Sequence, residues 1–236
     1  MKLIQYFCAA IVVLCNQVIF ADECRPEAGS HSYLIGYGSL MNEKSLYATV
    51  KEVDVIEPVM VKGFFRSFNF NVDIYGLKTS MLNVFADQKA QMNAVLIGVD
   101  KEDLTSLDKR EYGYCRKEVS KKDLTFYNDI NIASLDGPVW IYVSEAENIH
   151  SRKDYKVPQS YVDLFLSGCL AIEETHALLD FAKECVLTTH GWDDKQFVND
   201  RIYPRRPKVY QPKAMKIDKL LNELVPEVIS SRKIES

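Results

Sequence analysis

Apolar and polar residues follow two different spacings along the chain. Over residues 33–144 the apolar residues are dense, rich in β-branched and aromatic types and interrupted by Gly and Pro, which is typical of β-strands. Residues 101–110 break this pattern, because Leu104 and Leu107 are spaced to share one face of a helix. After Pro158 helical spacing takes over. Strands followed by helices in one compact unit predict an α+β domain.

The same spacings assign individual elements. Asn42 is placed to cap a short helix that runs to Val50, because an Asn side chain accepts a hydrogen bond from a free first-turn amide. The other predicted helices cover residues 101–110, 158–173, 175–189 and 214–224. The predicted strands cover residues 33–37, 53–71, 80–85, 92–99, 114–119 and 139–144.

The first 21 residues differ from the rest. Lys2 precedes a long apolar stretch, and Ala21 precedes a shift to acidic residues, which is the pattern of a secretory signal peptide. A polar pair, Asn16 and Gln17, disfavours a membrane-spanning helix, although an uncleaved anchor or a buried first helix is the alternative. We predict an exported protein, periplasmic or secreted, without a stable membrane span after cleavage. The predicted segments are a signal peptide over 1–21, an irregular lead-in over 22–32, one domain over 33–225 and a tail over 226–236.

Charge and cysteine content narrow the class of protein. The net charge of -4 disfavours nucleic-acid binding, which usually needs a basic patch. Export would permit disulfides among the four cysteines outside the signal peptide, or these cysteines could be buried thiols. Three pairings stay open, and Cys169 and Cys185 fall on successive predicted helices where they could face each other. No cysteine or histidine has metal-ligand spacing, so no metal site is predicted. The four cysteines are Cys24, Cys115, Cys169 and Cys185.

Two segments carry candidate chemistry. The first is Tyr33-Leu-Ile-Gly-Tyr-Gly-Ser-Leu-Met41, where a hydrophobic strand runs into glycines that let a ligand approach the backbone. Amides in such a turn can point together and hold a carboxylate or an oxyanion. A tight turn without function would look the same.

The second segment is Leu107-Asp-Lys-Arg-Glu-Tyr-Gly-Tyr-Cys-Arg116. Glu111 stands where the helix pattern gives way to a strand. A helix-end carboxylate that faces a pocket can have a raised pKa and serve as an acid or a base. A solvated helix end with ordinary ion pairs is the alternative.

Together the two segments resemble the gamma-glutamylcyclotransferase-like superfamily, and the form L-D-x-R-E looks closest to its ChaC-type and bacterial branches. The segments Val139-Trp-Ile-Tyr-Val143 and Pro158-Gln-Ser-Tyr161 extend the resemblance. The chain departs from many members by having Tyr112, not glycine, directly after the glutamate. The resemblance implies a small mixed β-barrel with flanking helices. It also implies Glu111 as the catalytic residue and a substrate-binding set of Tyr37, Gly38, Ser39, Leu40, Tyr114 and Tyr142.

The activity that the resemblance implies is cyclisation of a γ-glutamyl amide or peptide to 5-oxoproline with release of the amine. No cofactor is expected, because the nucleophile is the substrate's own α-amine. The expected partner is this small γ-glutamyl molecule, and the oligomeric state stays open. Two alternatives are a non-catalytic periplasmic protein that binds γ-glutamyl groups or peptides, and a hydrolase. Ser39 lacks the GxSxG spacing of a serine nucleophile.

Overall fold

The computed structural model of the chain describes residues 24–74, 76–144, 154–192, 197–204 and 213–234. The predicted signal peptide, residues 1–21, lies outside these ranges. The helices that they contain are α1 (Glu43–Tyr47), α2 (Lys101–Arg110), α3 (Gln159–Thr175), α4 (Phe181–Leu187), α5 (Ala214–Leu224) and α6 (Pro226–Ser231). The strands are β1 (His31–Gly36), β2 (Ile56–Ile74), β3 (Leu77–Asp100), β4 (Cys115–Glu118), β5 (Leu124–Phe126), β6 (Val139–Val143), β7 (Val157–Pro158), β8 (Thr189–His190), β9 (Phe197–Asn199) and β10 (Lys233–Ile234).

The main sheet has seven strands and mixed directions. Its order is β4-β6-β1-β3-β2-β5, and β8 adds to β2. β1 runs parallel to β6 and antiparallel to β3. A second sheet of three short parallel strands has the order β10-β9-β7. The α+β class is therefore confirmed.

The predicted barrel is not found. Among the described strands, no hydrogen-bonded pair joins the β4 edge of the main sheet to its β5 edge, so the sheet is open. The helical part lies against this open sheet, and α3 is buried along most of its length. A sheet that is covered by helices can bury its apolar face without closing on itself.

β2 and β3 form one long antiparallel hairpin, which corrects the prediction of separate strands at 80–85 and 92–99. These two segments belong to the single strand β3. Residues 87–90 lie between the pairs Lys62–Gln91 and Phe64–Ala86, where they bulge out opposite Gly63, and the polar residues 87–89 among them are exposed. A β-bulge adds unpaired residues and bends a strand without ending it.

The predicted helix over 175–189 begins later, as α4 at Phe181. Ala177 and Asp180 have φ values of 52° and 60°, which lie in the left-handed region and cannot continue a helix. The Glu173 carboxylate accepts the Ala182 N–H at 2.9 Å and so satisfies a first-turn donor of α4. A disulfide joins Cys169 of α3 to Cys185 of α4.

Parts of the predicted lead-in and of the predicted tail belong to the folded domain. β1 begins at His31, inside the predicted lead-in. Residues 226–234, inside the predicted tail, form α6 and β10. Between these two elements Arg232 donates to Gln159 at 2.6 Å and forms an ion pair with Asp218 at 3.1 Å. No helix in the described ranges is long and apolar enough to span a membrane.

Helix α3 packs directly on the backbone that follows β1. A Cβ at Gly168 would lie 2.6 Å from the carbonyl of Met41 and 2.7 Å from the amide of Asn42, so only glycine fits there. Beside this contact, Asn42 donates to the Ser167 hydroxyl at 3.0 Å and accepts the Ser45 N–H that caps α1. The helix therefore fixes the position of the turn at residues 37–40, which we name the glycine turn.

We expect Gly168→Ala to destabilise the protein by about 1–3 kcal/mol, because the added methyl group would push α3 away from the Met41 backbone. Denaturant unfolding followed by circular dichroism measures this change. The matched control is Gly29→Ala, whose Cβ would approach no atom closer than 3.6 Å and should cost less than about 0.5 kcal/mol. Equal stability of the two variants would contradict the close packing.

Candidate active site

The glycine turn, the end of α2 and the β2–β3 hairpin surround a cavity of about 260 Å³. This volume lies near the small end of the range for ligand pockets, about 300–1,000 Å³. The structure places all seven predicted site residues in its lining, while their roles in binding and catalysis stay predictions. They are Tyr37, Gly38, Ser39, Leu40, Glu111, Tyr114 and Tyr142.

The glycine turn is held from behind by a buried arginine. Arg66 of β2 is fully buried, and it donates to the Tyr37 carbonyl at 3.0 Å. The same side chain donates to the carbonyls of Asn93 and Cys185, each at 3.0 Å, and to the hydroxyls of two threonines. These acceptors are all neutral. Burial lowers the pKa of Arg66 to about 9, which still leaves it charged at neutral pH.

Glu111 stands at the C-terminal end of α2. Its N–H donates to the Leu107 carbonyl at 2.8 Å and its own carbonyl accepts the Tyr114 N–H at 3.1 Å, so the backbone reverses directly after the helix. Gly113 provides the left-handed conformation that this reversal needs, with a φ of 91°. The Glu111 side chain is only 16% exposed, so its carboxylate faces the cavity with little bulk water around it.

Arg110 joins Glu111 to the glycine turn. Its Nε lies 3.2 Å from Glu111 Oε1, and its terminal nitrogen donates to Ser39 Oγ at 3.0 Å. The guanidinium also donates to the hydroxyls of Ser45 at 2.8 Å and Thr49 at 3.1 Å, which fixes the side chain on both sides. A guanidinium that uses several donors at once holds its partners in a defined geometry. The arrangement therefore sets the distance between carboxylate and turn.

Three of the tyrosine hydroxyls around the cavity donate hydrogen bonds within the protein. Tyr37 donates to the Tyr142 carbonyl at 2.7 Å, Tyr142 donates to Asp108 at 2.7 Å, and Tyr114 donates to the Leu82 carbonyl at 2.9 Å. Burial is the largest effect that raises the pKa of Tyr37 and Tyr142 well above the ordinary value. The hydrogen bond to Asp108 adds to the effect at Tyr142, and the charge of Glu111 adds to it at both. Both phenols are therefore neutral at physiological pH.

Backbone amides are the free donors of the glycine turn. Ser39 and Leu40 line the cavity, and their N–H groups donate to no other group in the part of the chain that the structure describes. Gly38 lies close to the Tyr161 hydroxyl, which accepts the Leu82 N–H at 3.2 Å. The turn thus offers amide donors to an anionic or polarised oxygen at its open side.

Several residues that shape the site were not predicted from the sequence. Arg110 directly precedes Glu111 in the L-D-x-R-E motif, and this position was the available signal. Phe70 lines the cavity from β2 and carries no local signal, whereas Tyr161 lines it from α3 and belongs to the Pro158-Gln-Ser-Tyr161 segment of the resemblance. Asp108 accepts from Tyr142 and lies 2.9 Å from Arg116, so it anchors the end of α2 to the neighbouring strands.

A disulfide-linked segment contacts the C-terminal end of α2. Cys24 is bonded to Cys115, four residues after Glu111. The adjacent Arg25 donates to the carbonyls of Asp108 and Glu111 at 3.3 and 3.1 Å, and its guanidinium lies 5.4 Å from the centre of the Tyr142 ring. Arg25 thus donates to carbonyls at the helix end that have no donor within α2 itself.

Comparison with known proteins gives matches in structure only. No protein-family model matches the chain, and neither does any curated protein sequence. A gamma-glutamyl cyclotransferase structure is 15% identical, covering 80% of this chain and 99% of its own, with a TM-score of 0.49. A yeast gamma-glutamyl cyclotransferase specific to glutathione is 11% identical over 69% of this chain and 98% of its own, with a TM-score of 0.42. An uncharacterized protein from Homo sapiens is 13% identical over 68% of this chain and 89% of its own, with a TM-score of 0.47.

Gamma-glutamyl cyclotransferases are thus among the solved structures that the comparison matched. Because these identities and TM-scores are low, we argue the function from the residues of the site itself.

Proposed function

We propose that the protein is a gamma-glutamylcyclotransferase-type enzyme, which converts a γ-glutamyl amide or peptide to 5-oxoproline and a free amine. One observation carries the proposal. The shielded Glu111 carboxylate and the amide-rich glycine turn line the same cavity, and Arg110 joins them with bonds of 3.2 Å and 3.0 Å. A proton-transfer group and oxyanion donors on either side of one small cavity are the parts that an acyl transfer needs.

The chemical steps balance without any other reactant. Glu111 takes a proton from the α-ammonium of the substrate, and the freed amine attacks the γ-carbonyl carbon to form a five-membered ring. The bond from this carbon to the leaving nitrogen then breaks. Protonated Glu111 gives its proton to that nitrogen. The restored carboxylate then takes the second proton from the ring nitrogen and passes it to the released amine, so the products are 5-oxoproline and an alkylammonium ion.

The glycine turn holds the negative oxygen of the substrate. The free N–H groups of Ser39 and Leu40 can donate either to the α-carboxylate or to the oxyanion that forms at the γ-carbonyl. Either contact bends the substrate so that its amine meets its own carbonyl. Such positioning can lower the barrier by roughly 7–11 kcal/mol at best, and it requires no covalent intermediate with the protein.

The described residues give less support to a hydrolase. All four cysteines outside the predicted signal peptide are in disulfides, so none offers a thiolate. Of the histidines, His31, His176 and His190 are absent from the described cavity lining, and His150 lies outside the described residues. Ser39 Oγ accepts from Arg110 and has no imidazole to activate it there. A non-catalytic binding protein would use the same cavity as the proposed enzyme. It would bind a γ-glutamyl ligand tightly and form no product.

We expect Glu111→Gln to lower the rate of 5-oxoproline release by at least about 10²–10⁴-fold, because the amide cannot accept the proton of the ammonium. Mass spectrometry of reactions with γ-glutamyl amides measures the product. The matched control is Glu118→Gln, an exposed carboxylate on the following strand that should keep the full rate. If the Glu111 variant turned over at a near-normal rate, Glu111 would not be the proton-transfer group.

We expect Arg110→Lys to lower kcat about 10- to 100-fold with little change in thermal stability, since a lysine keeps the charge but cannot reach Ser39 and Glu111 together. Steady-state kinetics separates this loss from a change in KM. Arg232→Lys, a remote arginine with two polar partners, serves as the control and should leave kcat unchanged. A normal kcat in the Arg110 variant would show that the bridge does not position the carboxylate.

We also propose that the protein is exported, with the signal peptide removed after Ala21. The two disulfides support this, because such bonds persist in oxidising compartments. Mass spectrometry of the protein recovered from its natural source should find Asp22 as the first residue. An intact chain that begins at Met1, with both cysteine pairs reduced, would contradict export.

A further inference from the structure

The cavity is polar at one end and apolar at the other. Glu111 and Arg110 line the polar end beside the glycine turn. Phe70, Val72 and Met81, from the β2–β3 hairpin, line the other end. Phe70 and Val72 are only partly buried, so their exposed portions form part of the cavity wall.

Leu82 marks the place where the two ends meet. Its carbonyl accepts a hydrogen bond from the Tyr114 hydroxyl, and its N–H donates to the Tyr161 hydroxyl. Its side chain would lie 3.7 Å from a Cβ placed on Gly38. From Leu82 the hairpin leads away from the glycine turn, since Met81 pairs with Phe70 and Thr79 pairs with Val72. Three strand residues span about 10 Å, so the apolar end extends well beyond the space that a γ-glutamyl group needs.

Tyr112 extends this apolar end to the surface. It directly follows Glu111, lines the cavity and is 88% exposed. The next residue, Gly113, packs against the Phe70 ring. The centres of the Phe70 and Tyr114 rings lie 4.2 Å apart. An aromatic ring that is exposed at the rim of a pocket is available to cover an apolar ligand. Tyr112, Tyr114 and Phe70 thus line the cavity between Glu111 and the hairpin.

We propose that this apolar end is the leaving-group subsite, and that it takes amines with uncharged aliphatic or aromatic tails. The inference rests on the proposed function, which places the scissile bond beside Glu111. Arg110 and Glu111 are the charged residues of the described lining, and both lie at the polar end. A charged tail would therefore lose its hydration among Phe70, Val72 and Met81 without gaining a charged partner from the lining that the structure describes.

The test compares γ-glutamyl amides of equal tail length. The pentylamide carries an apolar tail, the 4-aminobutylamide ends in an ammonium, and the 3-carboxypropylamide ends in a carboxylate. We expect kcat/KM for 5-oxoproline release to be about 10-fold or more higher for the pentylamide than for either charged amide, because apolar pockets discriminate on this scale or more strongly. The methylamide, which has no tail, provides the baseline rate of ring closure.

Tyr112→Ala tests the subsite with little risk to the fold, since the ring is mostly exposed. We expect kcat/KM for the pentylamide to fall about 3- to 10-fold, which is the size of one aromatic contact, while the methylamide keeps its rate. Tyr47→Ala removes another partly exposed tyrosine that lies outside the described cavity lining, and it should change neither rate.

The outcomes separate this inference from the proposed function. Equal or faster turnover of a charged amide would overturn the apolar subsite and leave the cyclisation intact. An equal loss for pentylamide and methylamide in Tyr112→Ala would also overturn it, because the ring would then act on ring closure and not on the tail. No 5-oxoproline from any amide, the methylamide included, would overturn the proposed function and the subsite with it.

Discussion

The charge-assisted contacts of Arg110 are the interaction on which the site depends. They connect Glu111, at the end of a helix, to Ser39, at the end of a strand more than 70 residues earlier. Hydrogen bonds from a guanidinium to fixed partners are directional and stronger than neutral ones. Because the same side chain is also bound by Ser45 and Thr49, it cannot follow one partner and release the other. The spacing of the two halves of the site is thus set before a ligand arrives.

Other parts of the fold hold the glycine turn and the end of α2 in place. Arg66 binds the carbonyl of the glycine turn from the core, and Gly168 brings α3 onto the backbone just beyond it. Asp108 and Arg25, the neighbour of the disulfide-bonded Cys24, hold the end of α2. Burying Arg66 among neutral acceptors costs free energy, which the hydrogen bonds offset only in part. Such a cost is consistent with a site that gains from rigidity, because a substrate that attacks itself needs positioning more than added chemical groups.

Local patterns predicted the local parts of this structure. Helix α2 was found with its predicted ends, since Leu104 and Leu107 set its buried face and Asp100 caps it. The two motifs predicted the lining residues of the glycine turn and Glu111, but not the place of Arg110 beside them. The continuation of β3 through exposed polar residues, the contacts of Arg66 and the pairing of the cysteines could not be predicted, because each depends on segments that are distant in sequence. The same reason explains why the closed barrel was wrongly expected, since closure depends on pairing between the sheet edges.

The fate of water in the reaction tests the central claim most directly. The protein would be incubated with a γ-glutamyl alkylamide in water enriched in ¹⁸O, and the products would be identified by mass spectrometry. Attack by the substrate's own amine predicts 5-oxoproline without ¹⁸O, together with one equivalent of amine. Glutamate that carries one ¹⁸O atom would contradict the account, because it would mean that water attacks the γ-carbonyl and that the site is hydrolytic.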